Sequence, residues 1–281
     1  KRTGEISQVP IGIDPGWDTN PGIARHQALD KSLQQSQFKF DKTANQPLTT
    51  YWPANQEPMF TTSKNISRGD VESALSSLPG AQSDLLKKWL EKNPTQVLLL
   101  KQSEMSVSKT AANLNTAIDG FLTGKGKGLG YVAYMTRGSR RTNGFTSDSF
   151  DHVVVKIKAG TKADSVKPSV YAQAVQVNID DMKAGKQSWS LRAKVNQLHT
   201  GVDGDGYLAT MLHEIGHQVQ AKSGLPLPVH RSESITQYGS TTDHEWFAEH
   251  FAAWFFDRNA VATWKPDVAD YFDKLMKDAI K

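Results

Sequence analysis

A chain of 281 residues, 38% apolar and 22% charged, has ample material for a sizeable core and a length prior of about two domains. It contains no cysteine, which excludes a disulfide scaffold, a thiol nucleophile and any thiolate-held metal, so a metal would have to be bound by His, Asp or Glu. Thirty-three Lys/Arg against 29 Asp/Glu give a net charge of +4 and a pI near 9.0, too mild a basic balance to nominate a polyanionic partner. There is no Lys/Arg stripe interleaved with stacking aromatics and no run of about 18 apolar residues, so neither nucleic acid nor a membrane is expected as a partner. The chain begins at Lys1 without Met and without an apolar leader-like stretch, which reads either as a fragment of a longer polypeptide or as a chain whose first residues were removed, with no signal peptide expected in it.

Residues 1–62 are rich in Gln, Asn, Pro, Thr and Gly, and their Asp14-Pro15 and Asn20-Pro21 steps favour turns. The reading is an extended arm or linker, with one short helix over 25–37. Regular patterning sets in after it. Helices are expected over 71–78 and 82–91, the second with Leu85, Leu86, Trp89 and Leu90 on one face, followed by a short buried strand over 97–100. An amphipathic helix is expected over 108–122 and a flexible glycine-rich turn over 124–130. Strands are expected over 131–136 and 153–157, with 170–179 as a further strand, on their β-branched and aromatic content. Helices then take 206–222, 242–257 and 266–280. Strands in the middle and helices in the last third predict an α+β body over 63–281 behind the arm.

The chemistry concentrates in the first of those helices. Residues 213 to 217 read His-Glu-Ile-Gly-His, and two histidines four apart lie one above the other on a helix. Two neutral imidazoles in that register suit one zinc ion, with Glu214 on the flank as the base for an attacking water. At about 100° per residue, Leu208, Met211, Leu212, Ile215 and Val219 share the opposite face, so the helix is expected to anchor in the core and present His213 and His217 to a cleft. Gly216 in mid-helix costs about 1 kcal/mol against Ala, a cost tolerated where another backbone must come close. Asp205 or Gly206 is expected to start the helix. A chance match and two plain surface histidines are the competing readings.

A catalytic zinc takes three protein ligands and leaves one position open. On the helix over 242–257, Phe247, Phe251 and Trp254 cluster on one face, and Glu245, Glu249, Ala248 and Ala252 on the other. Glu245 is the expected third ligand. Glu249, one turn later, is expected to accept a hydrogen bond from a ligand histidine. Against this, Thr242-x-x-Glu245 is also a capping box, in which Glu245 would turn back to its own helix start, and Glu249 could be a solvated charge. His244 and His250 lie off the carboxylate face and read as bystanders.

Taken together, His213-Glu214-Ile215-Gly216-His217, Tyr238-Gly239 and Glu245-Trp246-Phe247-Ala248-Glu249-His250-Phe251 resemble the catalytic domain of anthrax lethal factor and its relatives, gluzincin-type zinc metalloendopeptidases. The resemblance spans residues 205–258 and, by coarse order of elements, 65–281. It implies a zincin-like domain with a small mixed sheet, an active-site helix and C-terminal helices. It also implies His213, His217 and Glu245 as ligands of Zn2+, Glu214 as general base, Tyr238 as the hydroxyl that stabilises the oxyanion, and a protein or peptide substrate. The arm resembles something else. Gly12-Ile13-Asp14-Pro15-Gly16-Trp17-Asp18-Thr19-Asn20-Pro21-Gly22 is similar to the tail of phage Mu protein F-like minor head proteins. That implies phage head proteins as partners and a place in the virion or delivery into a bacterial cell. The alternative to a protease is a catalytically inert zincin-fold domain with a structural role in a phage head. A peptidoglycan peptidase is a third reading.

Overall fold

The computed structural model describes residues 60–62, 68–101, 143–162, 165–223 and 233–281, apart from positions 77, 79, 94, 148 and 149. The arm up to residue 59, the helix expected over 108–122, the glycine-rich turn over 124–130 and the strand expected over 131–136 lie outside the described residues.

Strand β1 (Phe60–Thr62) is followed by helices α1 (Arg68–Ser76) and α2 (Gly80–Lys92), then strand β2 (Gln96–Lys101). Helix α2 buries Leu86, Trp89 and Leu90, the repeat expected of a one-faced helix, and Asn93 closes it by donating its side-chain amide to Trp89 O at 3.1 Å. Strands β3 (Gly144–Ser147) and β4 (Phe150–Ile157) form a hairpin-like antiparallel pair with a register shift between Thr146 and Ser147. The sheet order is β1-β2-β4-β3, with β1, β2 and β4 parallel. A parallel pair needs a crossover, which α1 and α2 supply between β1 and β2. The β-branched run Val153, Val154 and Val155 is buried on both faces of β4, as a central strand requires. Phe60 to Thr62, the last residues of the stretch read as arm, thus belong to the sheet by pairing with Val97 to Leu99.

The remainder is helical: α3 (Pro168–Lys183), α4 (Leu191–Leu198), α5 (Tyr207–Ser223), a 3-10 turn (Tyr238–Ser240), α6 (Asp243–Phe256), α7 (Arg258–Trp264) and α8 (Pro266–Ala279). The coarse α+β order therefore holds for the described residues. The strand expected over 170–179 is instead the middle of α3. Pro168 sits at the first turn of the helix, where its missing N–H is no loss, and Tyr171, Ala174, Val175, Asn178 and Ile179 are buried at helical spacing. Helical periodicity outweighed the β propensity of Val170, Val175 and Val177.

Two helices set the geometry that matters. Helix α5 lies against β3 and β4 on one side and against α6 on the other. Its residues from Tyr207 to Val219 are all buried, and its histidines face α6 through Glu245. The two helices approach closely at Gly216, where an added Cβ would lie 3.0 Å from Phe251 Cδ1 and 3.3 Å from Ala248 Cα. The opposite face of α6 packs into an aromatic cluster, with Phe272 of α8 against Phe247, Phe251 and Trp254 at centroid distances of 5.2, 5.9 and 6.0 Å. Among the described residues no helix is long and apolar enough to cross a membrane.

Candidate metal centre

Helix α5 begins directly after Asp205 and Gly206, as expected, and Asp205 is held there in a buried ion pair with Arg192. The Asp205 carboxylate accepts from Arg192 Nε at 3.0 Å and from the Lys158 backbone N–H at 3.0 Å, while Arg192 also reaches Thr210 Oγ1 and Lys156 O. This network ties α4, α5 and the end of β4 together one to two turns ahead of the histidines.

His213 and His217 project from α5 toward α6, 4% and 0% exposed. Their Nε2 atoms face each other at 3.1 Å. Glu245 Oε2 lies 2.9 Å from His213 Nε2 and 3.4 Å from His217 Nε2. Thr242 does cap α6, accepting from the Glu245 N–H at 3.1 Å, but the Glu245 carboxylate turns to the histidines and not back to the helix start. The capping-box alternative is thus half realised, by the backbone of Glu245 and not by its side chain.

Glu249 occupies the position expected of it. Its Oε1 accepts from His213 Nδ1 at 2.9 Å, and its Oε2 accepts from the Leu191 N–H, the first of helix α4, at 2.9 Å. A carboxylate oxygen accepts, so His213 Nδ1 donates to Glu249 while its Nε2 faces His217 and Glu245. The candidate ligand atoms of His213, His217 and Glu245 are all buried and lie within 4.8 Å of one another. Ligands about 2.0–2.1 Å from a tetrahedral ion stand about 3.3 Å apart, which the observed spacings approach. This buried group could hold a metal ion.

Electrostatics sharpen the picture. Burial disfavours charge on His213, but hydrogen bonds to Glu245 and Glu249 outweigh it and hold the imidazole well above its ordinary pKa. Burial takes His217 the other way, down to about 4. Burial also opposes ionisation of Glu245, yet the two imidazoles dominate and keep its carboxyl well below the usual range. Glu214, on α5 beside the group, is pushed well above the carboxylate range by burial, with His213 opposing and Glu245 and Glu249 reinforcing. Its Oε2 has no hydrogen-bond partner among the described residues.

Tyr238 stacks on His213, ring centroids 5.7 Å apart and 14° from parallel, and hydrogen-bonds Glu245. Burial, then the charges of Glu245 and Glu214, raise its phenol well above the ordinary value, so it keeps a proton to donate. His244 and His250 stand apart from the metal group. His244 donates from Nδ1 to Gln220 Oε1 at 3.0 Å. His250 donates to Trp246 O at 2.6 Å and accepts from the Ile235 N–H at 3.3 Å.

Two neighbours of the site had no signal in the sequence reading. Gly144 of β3 packs so close to α5 that a Cβ there would lie 2.7 Å from Glu214 Oε1 and 2.6 Å from Thr210 Cγ2. Trp189 stacks on the outer side of Tyr238, at 5.4 Å. A glycine in a strand signals a close approach in general, but only the fold reveals to what. Compared with known proteins, the chain matches no protein-family model, no curated protein and no solved structure.

Proposed function

We propose that this chain is a zinc-dependent metalloendopeptidase of the gluzincin type, its described body a zincin-like domain that hydrolyses peptide bonds of a protein substrate. The observation that carries the reading is the convergence of His213 Nε2, His217 Nε2 and Glu245 Oε2, with Glu214 one residue from a ligand on the same helix. Two imidazoles and one carboxylate are a donor set that suits zinc and leaves a coordination position open.

Zinc bound there supplies Lewis acidity, polarising a peptide carbonyl and acidifying water. Glu214 takes the proton of the attacking water as the new C–O bond forms. It then delivers that proton to the amine nitrogen as the C–N bond breaks. Tyr238, held protonated, donates a hydrogen bond to the carbonyl oxygen as negative charge develops on it. Glu249 keeps His213 in the tautomer that offers Nε2.

A role in or with a phage head rests on the resemblance of residues 12–22 alone. We carry it as the biological setting: a protease delivered with a particle or acting on head proteins. Elemental analysis tests the metal. The expected result is one zinc per chain in metal-replete protein, lost in Glu245→Ala; no zinc in the parent protein defeats the reading. Stoichiometric zinc with no hydrolysis of any peptide library would favour the inert structural domain instead.

A further inference from the structure

Trp189 is 53% exposed, whereas Trp89, Trp246 and Trp254 are fully buried. Its ring stacks on Tyr238 at 5.4 Å and 30°, and Tyr238 stacks in turn on His213 at 5.7 Å and 14°. The three rings run continuously from a residue of the metal group out to solvent. The backbone that carries the indole is also anchored. The Tyr238 N–H donates to Trp189 O at 2.8 Å, and the Gln237 N–H donates to Ser188 O at 3.0 Å. On its other side Ser190 caps α4 by accepting from the Ala193 N–H, and the Leu191 N–H is bound by Glu249. Trp189 therefore sits between two backbone attachments, each of which leads to the metal group within one or two residues.

A large apolar ring held in place beside a reaction site, one face stacked and the rest uncovered, is a preformed binding surface, because the entropy of ordering it is already spent in the free protein. We propose that Trp189 is a specificity-determining residue: its indole, stacked on Tyr238, forms an apolar wall that selects substrates with an aromatic or long aliphatic side chain next to the scissile bond. The proposal rests on the metallopeptidase reading. A Leu or Phe side chain laid against the indole withdraws apolar surface from water on both partners, and Phe adds a ring–ring contact. Asp would lose hydration there without a partner, and Gly offers no surface to cover.

The test reads binding separately from turnover. Zinc-loaded full chain is titrated with acetohydroxamate and with the N-acetyl hydroxamates of Gly, Asp, Leu and Phe. The small compound reports the metal alone, and the series reports the wall. Leu and Phe compounds are expected to bind about tenfold or more tightly than the Gly and Asp compounds. Trp189→Ala should erase that gap and leave acetohydroxamate affinity unchanged, while Trp189→Phe keeps most of it. A gap that is absent from the parent protein, or that survives in Trp189→Ala, overturns the proposal alone. So does an equal loss for every compound, acetohydroxamate included, since Trp189 would then only support Tyr238 and His213. No acetohydroxamate binding by the parent protein overturns the proposal together with the metal reading beneath it.

Discussion

Glu249 Oε1 lies 2.9 Å from His213 Nδ1, and this one contact decides which ring nitrogen of His213 faces Glu245. The other oxygen of the carboxylate is held by the Leu191 N–H, so the orienting group is itself oriented by the start of α4. Glu249→Ala removes both bonds. The expected outcome is a loss of about 10- to 100-fold in zinc affinity, measured by competition with a chelating dye. An unchanged affinity would show that His213 needs no such support.

Tyr238→Phe keeps the ring that stacks on His213 and removes only the hydroxyl. If that hydroxyl donates to the developing oxyanion, kcat should fall about 10²–10³-fold with KM and zinc content little altered. A variant within twofold of the parent in kcat would remove Tyr238 from the chemistry.

Gly144→Ala probes the opposite side of the base. A Cβ 2.7 Å from Glu214 Oε1 cannot be accommodated without moving that carboxylate or the strand. Since neither histidine is touched, the expected result is retained zinc with hydrolysis reduced at least tenfold, a geometric effect of the kind expected when a catalytic group is displaced by about 1 Å. Full activity would mean that Glu214 has room to shift without consequence.

His250 gives the fold a dependence on acid. Burial lowers its pKa to about 3, against an unfolded value near 6.5, so the native imidazole is neutral where the unfolded one is charged. Between those values the unfolded state binds more protons, and stability rises with pH; the contribution is fully present above about pH 6.5 and is lost as pH falls toward 3. The slope from this residue approaches about 1.4 kcal/mol per pH unit. Urea unfolding at pH 4 to 7 should show it in the parent chain and a slope shallower by about one proton in His250→Gln. That variant is also weaker at pH 7, because the Ile235 N–H loses its acceptor. Parallel pH profiles would contradict the assignment.

The two ligand histidines were readable from local spacing because one helix carries both, and helical geometry is a short-range property. Glu245 was readable as a candidate but not as a decision: Thr242 and Glu245 satisfy a capping box and a ligand pattern equally well in one dimension. Only the packing of α6 on α5, made possible by the bare backbone at Gly216, turns that carboxylate to His213 and His217. Helix α3 was misread because β-branched residues were weighed above the buried spacing of Tyr171, Ala174, Val175 and Asn178. Gly144 and Trp189 left no mark in the sequence. Their meaning comes from the packing of Gly144 on Glu214, 70 positions away, and from the backbone pairing of Trp189 with Tyr238, 49 positions away.

The most direct measurement is a digest of a broad peptide library by the zinc-loaded chain beside its Glu214→Gln variant, with zinc content determined for both. The account predicts one zinc per chain in each, peptide-bond cleavage by the parent protein, and no cleavage by the variant. Cleavage by Glu214→Gln at the parental rate, with zinc equally bound, would contradict it.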